Sequence, residues 1–117
     1  MEIRECYEMM QGDYDDALSR LMKDERIKKY LLKFAAANDY EALVSAVDAE
    51  EWEEAFRLSH TLKGVALNLG ITQFGQSSSD LCEMLRGGGQ PTGDPRAALE
   101  RITRDYETTM AAIAALD

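Results

Sequence analysis

Residues 50–70 read EEWEEAFRLSHTLKGVALNLG, and this stretch decides the fold. In a helix, successive side chains are about 100° apart around the axis, so residues three and four positions apart share a face. With that spacing, one face of the segment is apolar and consists of Ala55, Leu58, Leu62, Val65, Ala66 and Leu69. Gly70 follows, as glycine does where a helix ends in the left-handed conformation. We therefore predict one long helix whose core-facing side is already defined.

Apolar residues recur at helical spacing after this stretch as well. The pattern predicts helices over about 72–86 and 95–115, separated by the flexible loop GGGQPTG at 87–93. Asp94 and Pro95 form a strong helix start, because an aspartate side chain caps free N–H groups and proline suits the first helical position. The three long helices therefore lie between about residue 50 and the C-terminus.

Shorter helices are predicted before residue 50. Asp13 and Asn38 are residue types that cap helices, and apolar residues follow both at helical spacing. Asn38 with Glu41, and Asp48 with Glu51, also have the spacing of a capping box, in which each side chain satisfies a backbone N–H group. The second box would open the long helix at about residue 50.

These elements define a fold class and a domain organisation. No alternating strand pattern persists, so we predict an all-α protein: an antiparallel four-helix bundle with additional N-terminal helices. A chain of 117 residues is the size of one domain, here residues 1–117, with an accessory N-terminal helix in residues 1–12.

Composition and charge narrow the classes of partner. The 22 acidic and 13 basic side chains give a net charge of -9, which disfavours nucleic acid and anionic membrane as partners. No apolar run approaches the roughly 18 residues that span a bilayer, and no signal segment follows Met1. Cys6 and Cys82 have neither metal-site nor redox-motif spacing, which favours reduced thiols. We expect a free-standing, monomeric cytoplasmic protein.

His60 is the only histidine, and the helical spacing places it opposite the apolar face. Phe56 and Leu67 lie within about 40° and 20° of it around the axis, and Gly64 is one turn further on. A glycine inside a helix costs about 1 kcal/mol relative to alanine, so its presence suggests that another protein needs the space. Lys63 places an ammonium within reach of a group bonded to the imidazole. A neutral imidazole is a nucleophile near pH 7, and a phosphoryl group carries about two negative charges.

The chain lacks the motifs of an enzyme that uses ATP. It has no GxxxxGK[ST] loop, no kinase-type glycine loop and no obvious carboxylate cluster for Mg²⁺. We therefore predict a phosphoryl carrier without cofactor or metal of its own.

The run HTLKG at 60–64, continued by NLG at 68–70, closely resembles the signature of histidine phosphotransfer (HPt) domains. Ala55-Phe56 and LCEML at 81–85 are also similar to that family, and the similarity covers about residues 13–116. The resemblance implies that His60 exchanges a phosphoryl group with a response-regulator receiver aspartate or a histidine kinase. It also implies that Lys63 supports the phosphorylated state and that Gly64 gives the receiver access. Mg²⁺ is then expected only on the receiver domain.

Four residues are predicted to bind the partner: Phe56, Leu67, Asn68 and Arg86. Asn68 has a second interpretation as a solvated side chain, and Arg86 as a cation that favours a helix C-terminus. One alternative for the whole chain is an HPt-like module that docks a receiver or kinase without phosphorylation. A metal-binding bundle is disfavoured, because a single histidine and no Glu-x-x-His pairs leave too few ligands.

Overall fold

The computed structural model describes all 117 residues and contains helices but no strands. The seven helices are α1 (Ile3–Met9), α2 (Tyr14–Leu21), α3 (Asp24–Ala36), α4 (Asp39–Asp48), α5 (Trp52–Leu69), α6 (Thr72–Met84) and α7 (Pro95–Ala114). The prediction of an all-α protein is confirmed. None of these helices combines the length and the apolar character that crossing a membrane requires.

Helices α4 to α7 form the bundle. Helix α5 packs against α4 and α6, and α7 packs against α6 and α4, so the four helices close around a common centre. The links from α4 to α5 and from α5 to α6 are only a few residues long, which makes these neighbours antiparallel. Helix α3 packs against α5 and α7, and α1 and α2 add to the α7 and α5 sides. The predicted four-helix bundle with additional N-terminal helices is confirmed.

The core is one cluster of 25 buried residues drawn from all seven helices. Within it the ring of Tyr106 lies 6.1 Å from that of Phe34 and 5.8 Å from that of Phe74, in tilted arrangements. Tyr40 stacks on Tyr106 with 3.9 Å between ring centroids. Aromatic pairs of this kind add about 0.5–1.5 kcal/mol each beyond the area they bury. They join α3, α4, α6 and α7.

The N-terminal helices complete the C-terminal end of α5. The last carbonyl groups of a helix have no partner within it. Here the Tyr7 hydroxyl donates to the carbonyl of Leu69 at 2.6 Å, and the Asp13 N–H donates to that of Gly70 at 2.8 Å. Gly70 has a φ of 67°, and a Cβ there would lie 2.6 Å from the Asp13 carbonyl oxygen. Only glycine fits this turn.

The helix starts were predicted with mixed success. Asp13 and Asp94 do cap their helices, and Asp94 accepts from two backbone N–H groups at 3.1 and 3.2 Å. Asn38 precedes α4 but makes no capping hydrogen bond. The capping box at Asp48 and Glu51 was wrong, because Asp48 is the last residue of α4 and Glu51 makes no side-chain cap.

A C-terminal turn of α4 occupies the place of that box. Glu50 adopts a φ of 57°, and the Glu51 N–H donates to the carbonyl of Ala46 at 2.9 Å. This backbone bond closes α4 in the way that a glycine turn usually does. The sequence did not reveal it, since a glutamate stands where glycine is the usual signal.

Candidate functional site

His60 lies at the middle of α5 on its solvent-exposed side. The opposite side is buried, as predicted, at Ala55, Leu58, Leu62, Ala66 and Leu69. Because these side chains fix the rotation of the helix against the bundle, the imidazole is held outward. No element of the chain covers it.

Val65 departs from the predicted core face. It is only half-buried, because it lines a groove of about 260 Å³ beside α3. Most of this groove is apolar, and Tyr30, Phe34 and Tyr106 form much of its wall. The groove opens on the side of α5 away from His60.

An apolar rim borders His60. The ring of Phe56 lies one turn before it, with 6.1 Å between the two ring centroids and 55° between their planes. Leu67 is 55% exposed, a large fraction for a leucine and too large for a core role. Exposed apolar side chains beside a polar group are typical of surfaces that bind other proteins.

Gly64 leaves an open space next to the imidazole. A Cβ built at this position meets no atom within 4 Å, and the residue is exposed. The packing of this chain therefore does not require glycine there, although glycine in a helix interior costs about 0.5–1 kcal/mol relative to alanine.

Two cations lie on the α6 side of the site: Lys63, one turn after His60 on α5, and Arg86, after the end of α6. Lys63 is half-buried and makes no salt bridge. Arg86 follows the end of α6, and its guanidinium carbon lies 5.8 Å from the centre of the Phe56 ring. The ring of Phe56 is thus near both the imidazole of His60 and the guanidinium of Arg86, which lies within cation–π distance.

Glu83 holds Arg86 in its position. The Nε and Nη2 atoms of Arg86 donate to the two carboxylate oxygens of Glu83 at 3.0 and 2.6 Å. This hydrogen-bonded pair lowers the pKa of Glu83, and the nearby charge of Lys63 lowers it further. The same contact raises the pKa of Arg86. Glu83 is therefore the hydrogen-bonded partner of Arg86, and the charge of Lys63 also acts on it.

Asn68 does not join this cluster. It is exposed, and it lines the groove beside Val65 and Leu69. Phe56, Lys63, Gly64 and Leu67 thus share the open side of α5 with His60, Arg86 lies 5.8 Å from the Phe56 ring, and Asn68 is on the flank. Glu83 was missed in the sequence, although its spacing of three residues from Arg86 is that of a helical ion pair.

No group of three or more histidine, cysteine, aspartate or glutamate side chains comes together in a way that could hold a metal ion. The charged groups on the α6 side of the site are Lys63 and Arg86, with Glu83 bound to Arg86. An ammonium and a guanidinium are groups that bind an anion.

Fold and site together define a helical bundle that presents one exposed histidine, flanked by cations, on the outer side of a central helix. The family model of the Hpt domain matches residues 31–115, which is well over half of the chain, and the protein belongs to that family. No curated protein and no solved structure matches the chain significantly. Helices α1 and α2 lie before the matched range.

Proposed function

We propose that His60 is the phosphoacceptor of a two-component phosphorelay and that it exchanges a phosphoryl group with the aspartate of a receiver domain. Membership of the Hpt family supports a role in histidine phosphotransfer in general. The observation that carries the specific assignment is the combination of an exposed His60 with empty space at Gly64. A second protein has access to the ring along that side.

The transfer needs only a nucleophile from this chain. The unprotonated ring nitrogen of His60 forms a bond to phosphorus while the P–O bond to the receiver aspartate breaks. The aspartate leaves as a carboxylate with the electron pair of that bond, and the reverse reaction restores it. The receiver supplies Mg²⁺ and the other groups that neutralise the charge of the transferring phosphoryl group. In-line approach of the two proteins supplies the geometry.

The residues near His60 have two further proposed roles, charge stabilisation and docking of the partner. Lys63 and Arg86 provide positive charge for a phosphoryl group that carries about two negative charges. Phe56 and Leu67 provide the apolar contact that a docking receiver buries. We propose that the protein acts as a cytoplasmic monomer, with a receiver domain and a histidine kinase as its partners and without an ATP site of its own.

Phosphotransfer is tested directly by incubating the protein with a phosphorylated receiver domain, or with a histidine kinase and ATP. The protein should become labelled, and the label should be lost in acid and kept in base, as phosphohistidine is. His60→Gln should abolish the label, whereas Thr61→Ala, at the exposed position next to it, should keep it. Labelling that survives His60→Gln would exclude His60 as the acceptor.

The alternative is a module of the same fold that docks a receiver or a kinase without being phosphorylated. Binding alone does not separate the two functions, because both predict it. Receiver binding without any acid-labile label, under conditions that label a known phosphotransfer domain, would favour the docking module.

A further inference from the structure

The ion pair between Glu83 and Arg86 lies at the end of α6, next to the Phe56 ring that packs near His60. The guanidinium carbon is 5.8 Å from the centre of the Phe56 ring, and that ring is 6.1 Å from the ring of His60. The guanidinium is therefore at most about 12 Å from the imidazole, the sum of those two separations. A phosphoryl group on His60 would extend from the ring into the open face that Arg86 borders.

The two anions would compete for the same cations. Glu83 is bound by Arg86 through two hydrogen bonds and also lies close enough to Lys63 for that charge to act on it. A phosphoryl group carries about two negative charges and three acceptor oxygens, so it attracts a guanidinium more strongly than one carboxylate does. It also repels the carboxylate of Glu83.

We propose that Glu83 is a positioning residue that holds Arg86 while His60 is unphosphorylated and releases it to the phosphoryl group of phosphohistidine. The proposal rests on the phosphoacceptor role of His60. Glu83 thereby favours the unphosphorylated state, because phosphorylation must break the bonds between Glu83 and Arg86 and place two anions near each other. The carboxylate makes His60 a readier donor of its phosphoryl group and a poorer store of it.

The test uses the full chain and a small phosphoryl donor, so that docking of a partner plays no part. Phosphoramidate in its zwitterionic form transfers its phosphoryl group to the ring nitrogen of His60, and its P–N bond breaks as ammonia leaves. The half-life of the phosphohistidine is then followed by ³¹P NMR after the donor is removed. Glu83→Gln should lengthen that half-life about two- to fivefold, the range that charge interactions at exposed sites produce.

A second readout follows Arg86 itself. The Nε–H group of Arg86 donates to Glu83 at 3.0 Å and gives its own signal in a ¹H–¹⁵N spectrum. Phosphorylation of His60 should shift this signal strongly in the unsubstituted protein. In Glu83→Gln the signal should already be changed before phosphorylation, because the charged partner is gone. A merely structural role for Glu83 would leave the response of Arg86 to phosphorylation unaltered.

Two control variants separate this mechanism from a general effect of charge. Glu50→Gln removes the same charge from another exposed ion pair, in which Arg96 lies 3.6 Å from Glu50. Glu50 lies in the turn before α5, whose first residue, Trp52, is about 12 Å from His60 along the helix axis, so its substitution should leave the half-life unchanged. In an Arg86→Gln background, Glu83→Gln should have little further effect.

The outcomes distinguish the two proposals. If neither phosphoramidate nor a phosphorylated receiver labels His60, the proposed function fails. If His60 is labelled and Glu83→Gln changes neither the half-life nor the Arg86 signal, the role of Glu83 is refuted and the function stands. The role is also refuted if Glu50→Gln lengthens the half-life equally, or if the effect persists without Arg86.

Discussion

Replacing Gly64 by alanine should make the protein more stable and a poorer phosphoryl carrier. A Cβ at this position meets no atom of the chain within 4 Å, so the methyl group causes no clash in the free protein. The gain is the difference in helix propensity and in the entropy of the unfolded chain, about 0.5–1 kcal/mol. For a domain of this size the melting temperature should rise by roughly 2–6 °C.

The same methyl group lies where the receiver must approach. Displacing the reacting groups by about 1 Å is enough to slow a positioned reaction by around a hundredfold. We therefore expect the transfer rate from a phosphorylated receiver to fall about ten- to a hundredfold in Gly64→Ala, and further in Gly64→Gln. Phosphorylation by the small donor phosphoramidate should change little, since that donor needs no docking surface.

Thermal unfolding and single-turnover transfer on the same samples measure the two effects together. Thr108→Ala is the matched control, because Thr108 is an exposed residue on α7 and its replacement by alanine also raises helix propensity. It should raise stability without slowing transfer. Gly75→Ala is the opposite control, since its Cβ would press on that of Ala66 at 3.2 Å. A Gly64→Ala protein that is destabilised, or that transfers at the unsubstituted rate, would refute the reasoning.

Four further predictions concern single side chains. Ser78→Ala should raise the free energy of unfolding by about 1 kcal/mol in urea titrations, because the Ser78 hydroxyl is buried without a hydrogen-bond partner. A lower free energy of unfolding in this variant would show that the hydroxyl has a partner. Tyr7→Phe should lower the free energy of unfolding by about 1–2 kcal/mol, because the buried bond to the end of α5 is lost, while phosphorylation of His60 by phosphoramidate persists. Burial raises the pKa of the Cys6 thiol from 9.0 to about 11, so the folded state favours the neutral thiol. The free energy of unfolding should therefore fall as pH rises from about 9 to about 11. Cys6→Ala should flatten that part of the pH profile. Lys63→Ala should shorten the phosphohistidine half-life at least about twofold without changing the circular dichroism spectrum, and an unchanged half-life would remove the role given to this lysine.

The part of the fold that follows from side-chain periodicity was predictable from the sequence. The buried face of α5, its left-handed end at Gly70 and the cap at Asp94 were each signalled by residue types with a known local preference. The end of α4 was not, because Glu50 takes a left-handed conformation that its own chemistry does not favour. Tertiary packing overrode local propensity there.

The site was predictable as far as one helix could define it. His60, Phe56, Lys63 and Gly64 lie on α5, so their relative positions follow from helical geometry alone. The position of Arg86 over Phe56 depends on how α6 packs against α5, and no spacing within one segment carries that information. Asn68 also lies on α5, but it lines the groove between α3 and α5 and not the surface around His60. The existence of that groove depends on the packing of α3, which the sequence of α5 alone does not reveal.

The open placement of His60 follows from the kind of reaction proposed for it. An enzyme that completes a reaction alone encloses its substrate, and here the apolar groove beside α3 lies on the flank of α5 away from the histidine. A phosphoryl carrier leaves half of its reaction site to the partner, so its own half must be convex, exposed and free of side chains that block approach. Empty space at Gly64 and an arginine held near Phe56 by Glu83 are features of such a half-site. The protein has a net charge of -9, so Lys63 and Arg86 give a phosphoryl group on His60 a local positive charge that the rest of the surface would not provide.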